Sequence, residues 1–263
     1  MGIMMIRFVQ VLTFSLLAQL ANATPQQLLT ELQKMRLAST DVVTNFYMFT
    51  GLDADSKYDR RMQQAAKKFE TSLKSATELS VANGVSDSLA SIDADWKAFT
   101  KLLMSNRKDM LTQGFPNVRL VDEMGRTNID IVQKVTMTYD QVQQTSGIQP
   151  SPIVQKSRSL ALLMEEITSQ YAARGTTNLG QVFMGNSERS LEQMADDFQL
   201  ALNELHAMLR GKQVDGILKS IDSKWRFMAE SVKNYNQNTV PFLVVSYNDR
   251  ILMHLEELEE RFQ

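Results

Sequence analysis

Ser91-Ile92-Asp93-Ala94-Asp95-Trp96-Lys97-Ala98-Phe99, SIDADWKAF, has a near copy at Ser220-Ile221-Asp222-Ser223-Lys224-Trp225-Arg226-Phe227-Met228, SIDSKWRFM. The only two tryptophans of the chain occupy the same place in both. A shift of 129 residues also places Arg60 on Arg189, Gln64 on Gln193, Ala66 on Ala195, Phe69 on Phe198, Leu73 on Leu202, Val85 on Val214 and Leu89 on Leu218, without a gap. That gives 11 identities across the 37 positions from Arg60 to Trp96, and they fall mainly on apolar seams. Leu89, Ile92, Trp96, Phe99 and Leu103 are spaced by three and four, as are Leu218, Ile221, Trp225, Met228, Val232 and Tyr235. Such spacing buries one stripe of a helix. The pair of motifs therefore marks one helix of a unit built twice, with Phe69, Trp96, Phe198 and Trp225 as core residues, rather than a paired active site. After the tryptophans the register changes: Pro116 follows Trp96 by 20 residues and Pro241 follows Trp225 by 16. The difference is about one helical turn.

Working outward, the breakers delimit eight helical segments and no stretch of sustained period-two alternation competes with them. Thr24-Pro25 reads as an N-cap and first helical residue, opening a helix to Gly51. Segments over about 55–82, 86–113 and 116–145 complete the first set, with Asn83-Gly84 and Gly114-Phe115-Pro116 as turns and Pro116 opening the fourth helix. The densest breaker cluster, Gln144 to Pro152, reads as the linker between halves. Segments over about 152–173, 187–209, 214–236 and 241–262 form the second set. The fold expected is all-α, two tandem four-helix bundle modules, at 24–147 and 148–263, after a signal peptide at 1–23.

That signal peptide is read from Arg7, the apolar run Phe8 to Leu20, and Ala21-Asn22-Ala23, a small-x-small cleavage pattern. About 13 apolar residues are too few for a bilayer span, which needs about 20. No later run approaches that length, so no stable membrane insertion is expected after cleavage. An exported chain with no cysteine relies neither on disulfides nor on thiolates, and the bacterial periplasm is the expected compartment. Lys and Arg total 28 against 30 acids, without long runs, which excludes a nucleic-acid partner.

The catalytic inventory is thin. His206 and His254 stand alone, outside any metal-binding spacing, and the single glycines form no phosphate loop. The carboxylate pairs Asp93/Asp95, Glu165/Glu166 and Asp196/Asp197 read as solvated helix faces. Met62, Met164, Met194 and Met228 lie on or beside seams, where a pliable side chain packs a core. No enzyme, no cofactor and no metal site are expected.

One stretch of the first helix points to binding: Gln33-Lys34-Met35-Arg36-Leu37-Ala38-Ser39. It resembles the RM-x-S box on the first helix of the sensor module shared by type IV pilus chemotaxis transducers (PilJ-like) and nitrate/nitrite sensor kinases (NarX-like). The order of neighbours around Arg36 differs from the commonest box, and the usual preceding Ala-Gly is absent. The resemblance implies a periplasmic four-helix bundle in which a box arginine binds a small anion at a dimer interface; PilJ-like members carry the module twice. It makes Arg36 the ligand arginine. Arg158, in Lys156-Ser157-Arg158-Ser159-Leu160-Ala161, matches only if the constant register is broken, since the shift of 129 places Glu165 opposite Arg36. Independently of the resemblance, an arginine among Met and Leu needs an anion, Asp41 or another carboxylate, or solvent. The expectation is a soluble periplasmic sensory or accessory module, detached from any signalling domain. It would bind a small anion or a membrane receptor, and the reading admits a homodimer. The alternative is a structural or assembly protein of the envelope or pilus machinery.

Overall fold

The computed structural model describes the backbone of residues 2–176, 189–237 and 239–263, with side chains from Pro25 onward within these except at 175–176. Eight helices, with no strand among the described residues, occupy Gly2–Gly51 (α1), Ser56–Ser80 (α2), Ser86–Gln113 (α3), Val118–Ser146 (α4), Pro152–Thr176 (α5), Leu191–Met208 (α6), Asp215–Lys233 (α7) and Pro241–Phe262 (α8). No described helix is long and apolar enough to cross a membrane.

Each set of four closes on itself: α1 packs on α2 and α4, and α3 on α2 and α4, while α5 packs on α6 and α8, and α7 on α6 and α8. The seams read from the sequence are the cores. Phe69 stacks on Trp96 with ring centroids 3.8 Å apart, and Phe198 meets Trp225 at 4.2 Å. All four rings are buried, as are Met62, Met164, Met194 and Met228. The repeat extends to the backbone of the turns. Val85 (φ −123°, ψ 20°) and Val214 (φ −120°, ψ 18°) precede α3 and α7 in nearly the same conformation. The residues before them, Gly84 and Gln213, are both left-handed, at φ 67° and 58°. Gly tolerates that region at no steric cost, whereas Gln does not.

Several boundaries differ from expectation. Helix α1 does not open at Thr24-Pro25; it runs from Gly2 with Pro25 inside it. A single proline removes one backbone donor and strains its own turn, but long flanking helix sustains the run. The expected signal peptide, 1–23, falls where side chains lie outside the described residues. Pro116 does not open α4 either. Asn117 does, its side chain accepting from the backbone N–H groups of Arg119 and Leu120, because an amide oxygen satisfies end donors that proline leaves bare. The start expected at Ser187 lies outside the described residues; α6 begins at Leu191, under a capping box between Ser190 and Gln193.

The two sets meet along α1 and α5. These helices run parallel: Gln33 donates to the carbonyl of Arg158 at 3.3 Å, and further along both, the charge of Asp41 acts on Glu165. Helix α1 consequently has neighbours on nearly every side, and every residue from Val42 to Phe49 is buried. Burial also keeps the shift of 129 along these helices. Met35 and Met164, Arg36 and Glu165, and Ser39 and Thr168 are all buried at corresponding places. One inward position therefore carries a guanidinium group in the first set and a carboxyl group in the second. Glu165 is not on a solvated face as its sequence context suggested: only 3% of it is exposed. The parallel packing of α1 on α5 adds a second covered side that helical period alone does not report.

Candidate functional site: an arginine pair on the seam

Thr30, Gln33 and Arg36 recur every third residue on α1 and so share a face. Across the seam α5 contributes Arg158, α4 contributes Tyr139 and α8 contributes Glu259. The two arginines singled out from the sequence, far apart along the chain and out of register with one another, are brought together over one tyrosine ring. The guanidinium carbon of Arg36 lies 4.3 Å from the centroid of Tyr139 and that of Arg158 lies 5.8 Å from it.

Their surroundings are unequal. Arg158 donates from Nη1 to the hydroxyl of Tyr139 at 3.0 Å, from Nη2 to Thr30 Oγ1 at 3.0 Å, and from Nε to Glu259 Oε1 at 3.0 Å. Its Nη2 also donates to that carboxylate oxygen. Against the desolvation of its burial, the hydrogen bonds and charge of Glu259 hold its pKa above the usual arginine value. Arg36 has no such partner. Its Nη2 donates to Gln33 Oε1 at 2.5 Å, and its buried Nε has no hydrogen-bond partner among the described residues. Burial, opposed by Tyr139 and reinforced by the charge of Arg158, pushes its pKa down to about 10. The side chain is 5% exposed and remains cationic at neutral pH.

Of the two arginines Glu259 thus hydrogen-bonds only Arg158, and Arg36 feels carboxylates only through the more distant charges of Asp140 and Glu259, beside an unused donor. Asp41, a candidate partner for Arg36, instead accepts from Asn45 and faces Arg61, the cation that binds Asp249. Of the residues that complete the arrangement, Gln33 lay inside the quoted box without a role, and neither Tyr139 nor Glu259 carried a signal. Each is one polar residue on an otherwise ordinary helix, and only the crossing of helices gives it a partner. Chemically, the pair offers planar donors and a cationic aromatic platform suited to an oxyanion.

Elsewhere the inventory stays bland. His206 bonds Asp222 at 2.9 Å on a half-exposed surface, and His254 lies 3.5 Å from Glu257. Among the described residues no group of three or more His, Cys, Asp or Glu side chains is placed to hold a metal ion. A groove of about 630 Å³ between α3 and α4, lined by Asp87, Ser91, Lys134, Asp140 and Gln144 among others, includes neither arginine. Compared with protein-family models, with curated proteins and with solved structures, the chain matches none.

Proposed function

We propose that the chain is a soluble periplasmic sensory or accessory module, two tandem helical bundles that bind a small anion on the seam between them and pass the binding on to a membrane receptor. The observation that supports this reading is Arg36: buried, stacked on Tyr139, next to a second arginine, and hydrogen-bonded to no carboxylate among the described residues. A charge kept inside a protein without a counter-ion costs stability unless something binds it. A planar oxyanion accepting from Arg36 Nε would supply the missing charge. The resemblance of the Gln33–Ser39 stretch to the sensor-module box supports the same residue, and the export signal read at 1–23 supports the compartment. Titration of the purified protein with nitrate, phosphate and carboxylates, followed by melting, tests it. A bound anion raises the melting temperature with the logarithm of its concentration, and Arg36→Met removes the rise. An unchanged melting temperature with every anion refutes the anion site.

A second reading, a structural or assembly protein of the envelope, draws on a different observation. The turns α1–α2, α3–α4 and α7–α8 share one end by their up-and-down connectivity, and there Leu52, Phe115 and Phe242 are 42%, 63% and 52% exposed. Lys57 sits 4.5 Å over the Phe242 ring, joining the two sets at that end. Retention of an envelope partner by wild type but not by Phe115→Ser/Phe242→Ser, with no anion response, would favour this reading.

A further inference from the structure

Further along the α1–α5 seam a second polar cluster is buried. Glu165 on α5 and Asn248 on α8 are 3% and 2% exposed. Asn248 Nδ2 donates to Glu165 Oε1 at 3.2 Å. The other oxygen of each group, Glu165 Oε2 and Asn248 Oδ1, is buried without a hydrogen-bond partner among the described residues. Thr168 Oγ1, one turn along α5, is likewise unpartnered. The first set shows what this place looks like when satisfied: Ser39, at the position of Thr168, donates to Asn128 Oδ1. Asn128 and Asn248 each stand three residues before a fully buried isoleucine, Ile131 or Ile251. In the second set the asparagine has turned to a carboxyl group, and two acceptor oxygens are left short of one hydrogen.

A carboxylate cannot supply that hydrogen, but a carboxylic acid can. We infer that Glu165 and Asn248 form a proton-binding site: Glu165 is the neutral acid in the folded chain, Oε2–H donating to Asn248 Oδ1 while Asn248 Nδ2 donates to Oε1, and release of this proton weakens the packing of α5 against α1 and α8. A single hydrogen satisfies both orphaned oxygens, closing a two-bond ring between side chains of different helices. Ionisation instead leaves a desolvated charge with one neutral donor, a costly state.

The charged groups around the site agree. Asp41 faces it from α1, Arg61 from α2 and Asp249 from α8, with Lys68 of α2 acting on Asp41. The buried face of α6 is Leu191, Met194, Ala195, Phe198, Leu202 and Leu205, with no titratable group. Arg61 is committed to Asp249 through two hydrogen bonds of 2.7 Å, and its charge offsets the burial of Glu165 less than Asp41 and Asp249 reinforce it. Burial first, and then the charge of Asp41, hold the Glu165 carboxyl well above the usual range, while burial pushes Asp41 up to about 6. Because these folded-state values are raised, the folded chain binds more protons than the unfolded chain above the usual carboxylate range. Stability is therefore fully present below that range and is lost as pH rises through the raised values. Asp41 contributes to the slope around pH 6 and Glu165 beyond it, and one proton corresponds to about a tenfold fall in the folding constant per pH unit. The site is independent of the anion reading and survives its failure.

Glu165→Gln tests this, because an amide N–H replaces the acid O–H and makes the ring permanent. Urea unfolding of wild type and E165Q at intervals from pH 5 to pH 8 is expected to show the wild-type folding constant falling relative to that of E165Q, by up to tenfold per pH unit, until Glu165 ionises. An infrared difference spectrum at pH 7, wild type minus E165Q, is expected to contain the C=O band of a protonated carboxyl, and it reads the proton even if the variant is poorly stable. Parallel pH profiles, or absence of that band, would overturn the assignment. So would a rise in wild-type stability on adding sodium, potassium, magnesium or calcium chloride that E165Q lacks, since a cation would then be what fills the unpartnered oxygens.

Discussion

Replacing each seam arginine by methionine should change stability in opposite directions, although the two guanidinium groups share a tyrosine ring. The drop of the Arg36 pKa from the usual arginine value to about 10 corresponds to about 3 kcal/mol by which its surroundings disfavour the charged form. Arg36→Met removes that cost and fills much the same volume. It forfeits the stacking on Tyr139 and leaves Gln33 Oε1 without its donor, about 1 kcal/mol each. The net is a gain of about 1 kcal/mol, or a rise in melting temperature of about 2–4 °C for a chain of this size. At Arg158 the ledger reverses. Glu259, whose side chain is 13% exposed, loses its cation, and Tyr139 and Thr30 lose a donor. Breaking a buried pair from one side costs about 3–5 kcal/mol. Urea unfolding of the two variants at neutral pH, with equal denaturant slopes to establish that the unfolding reaction is unchanged, measures both. Equal destabilisation would show that Arg36 is a structural tie like Arg158, and the argument that it is held for a ligand would fall with it.

Two further outcomes follow from the repeat. Trp96→Ala and Trp225→Ala should each cost about 3–5 kcal/mol, because each indole is packed against a phenylalanine in a different core. The double variant should equal their sum in chemical denaturation; a large shortfall would mean that the two cores do not contribute independently. Gln213→Gly should raise stability by up to about 1 kcal/mol, since φ 58° costs a side chain about 1–2 kcal/mol that glycine avoids, less the greater freedom of the unfolded glycine. Gly84→Ala at the corresponding turn should lower it, and a calorimetric scan of both variants reads the pair.

Much of this protein was legible without coordinates. Period and breakers alone place eight helices, and the constant spacing from Phe69 to Trp96 and from Phe198 to Trp225 identifies the duplicated hairpin, because a seam on a helix repeats at three and four wherever the helix packs. The misread boundaries, at Pro25 and Pro116, are places where a single local signal competes with a long helix or with a better cap one residue away. The single-residue burial of Glu165 was not legible, since its neighbour Glu166 is partly exposed and the two together look like an ordinary charged face.

The sequence by itself determined the helices, their seams and the doubling of the unit, and it pointed to Arg36 as a cation among apolar residues. Tertiary structure alone decided that α1 and α5 lie parallel in contact. A one-dimensional period records that a face is covered, but not by what, and a helix with neighbours on nearly every side has no polar face left to read. From that contact come the meeting of Arg36 with Arg158 over Tyr139, the commitment of Glu259 to only one of them, and the enclosure of Glu165 with Asn248.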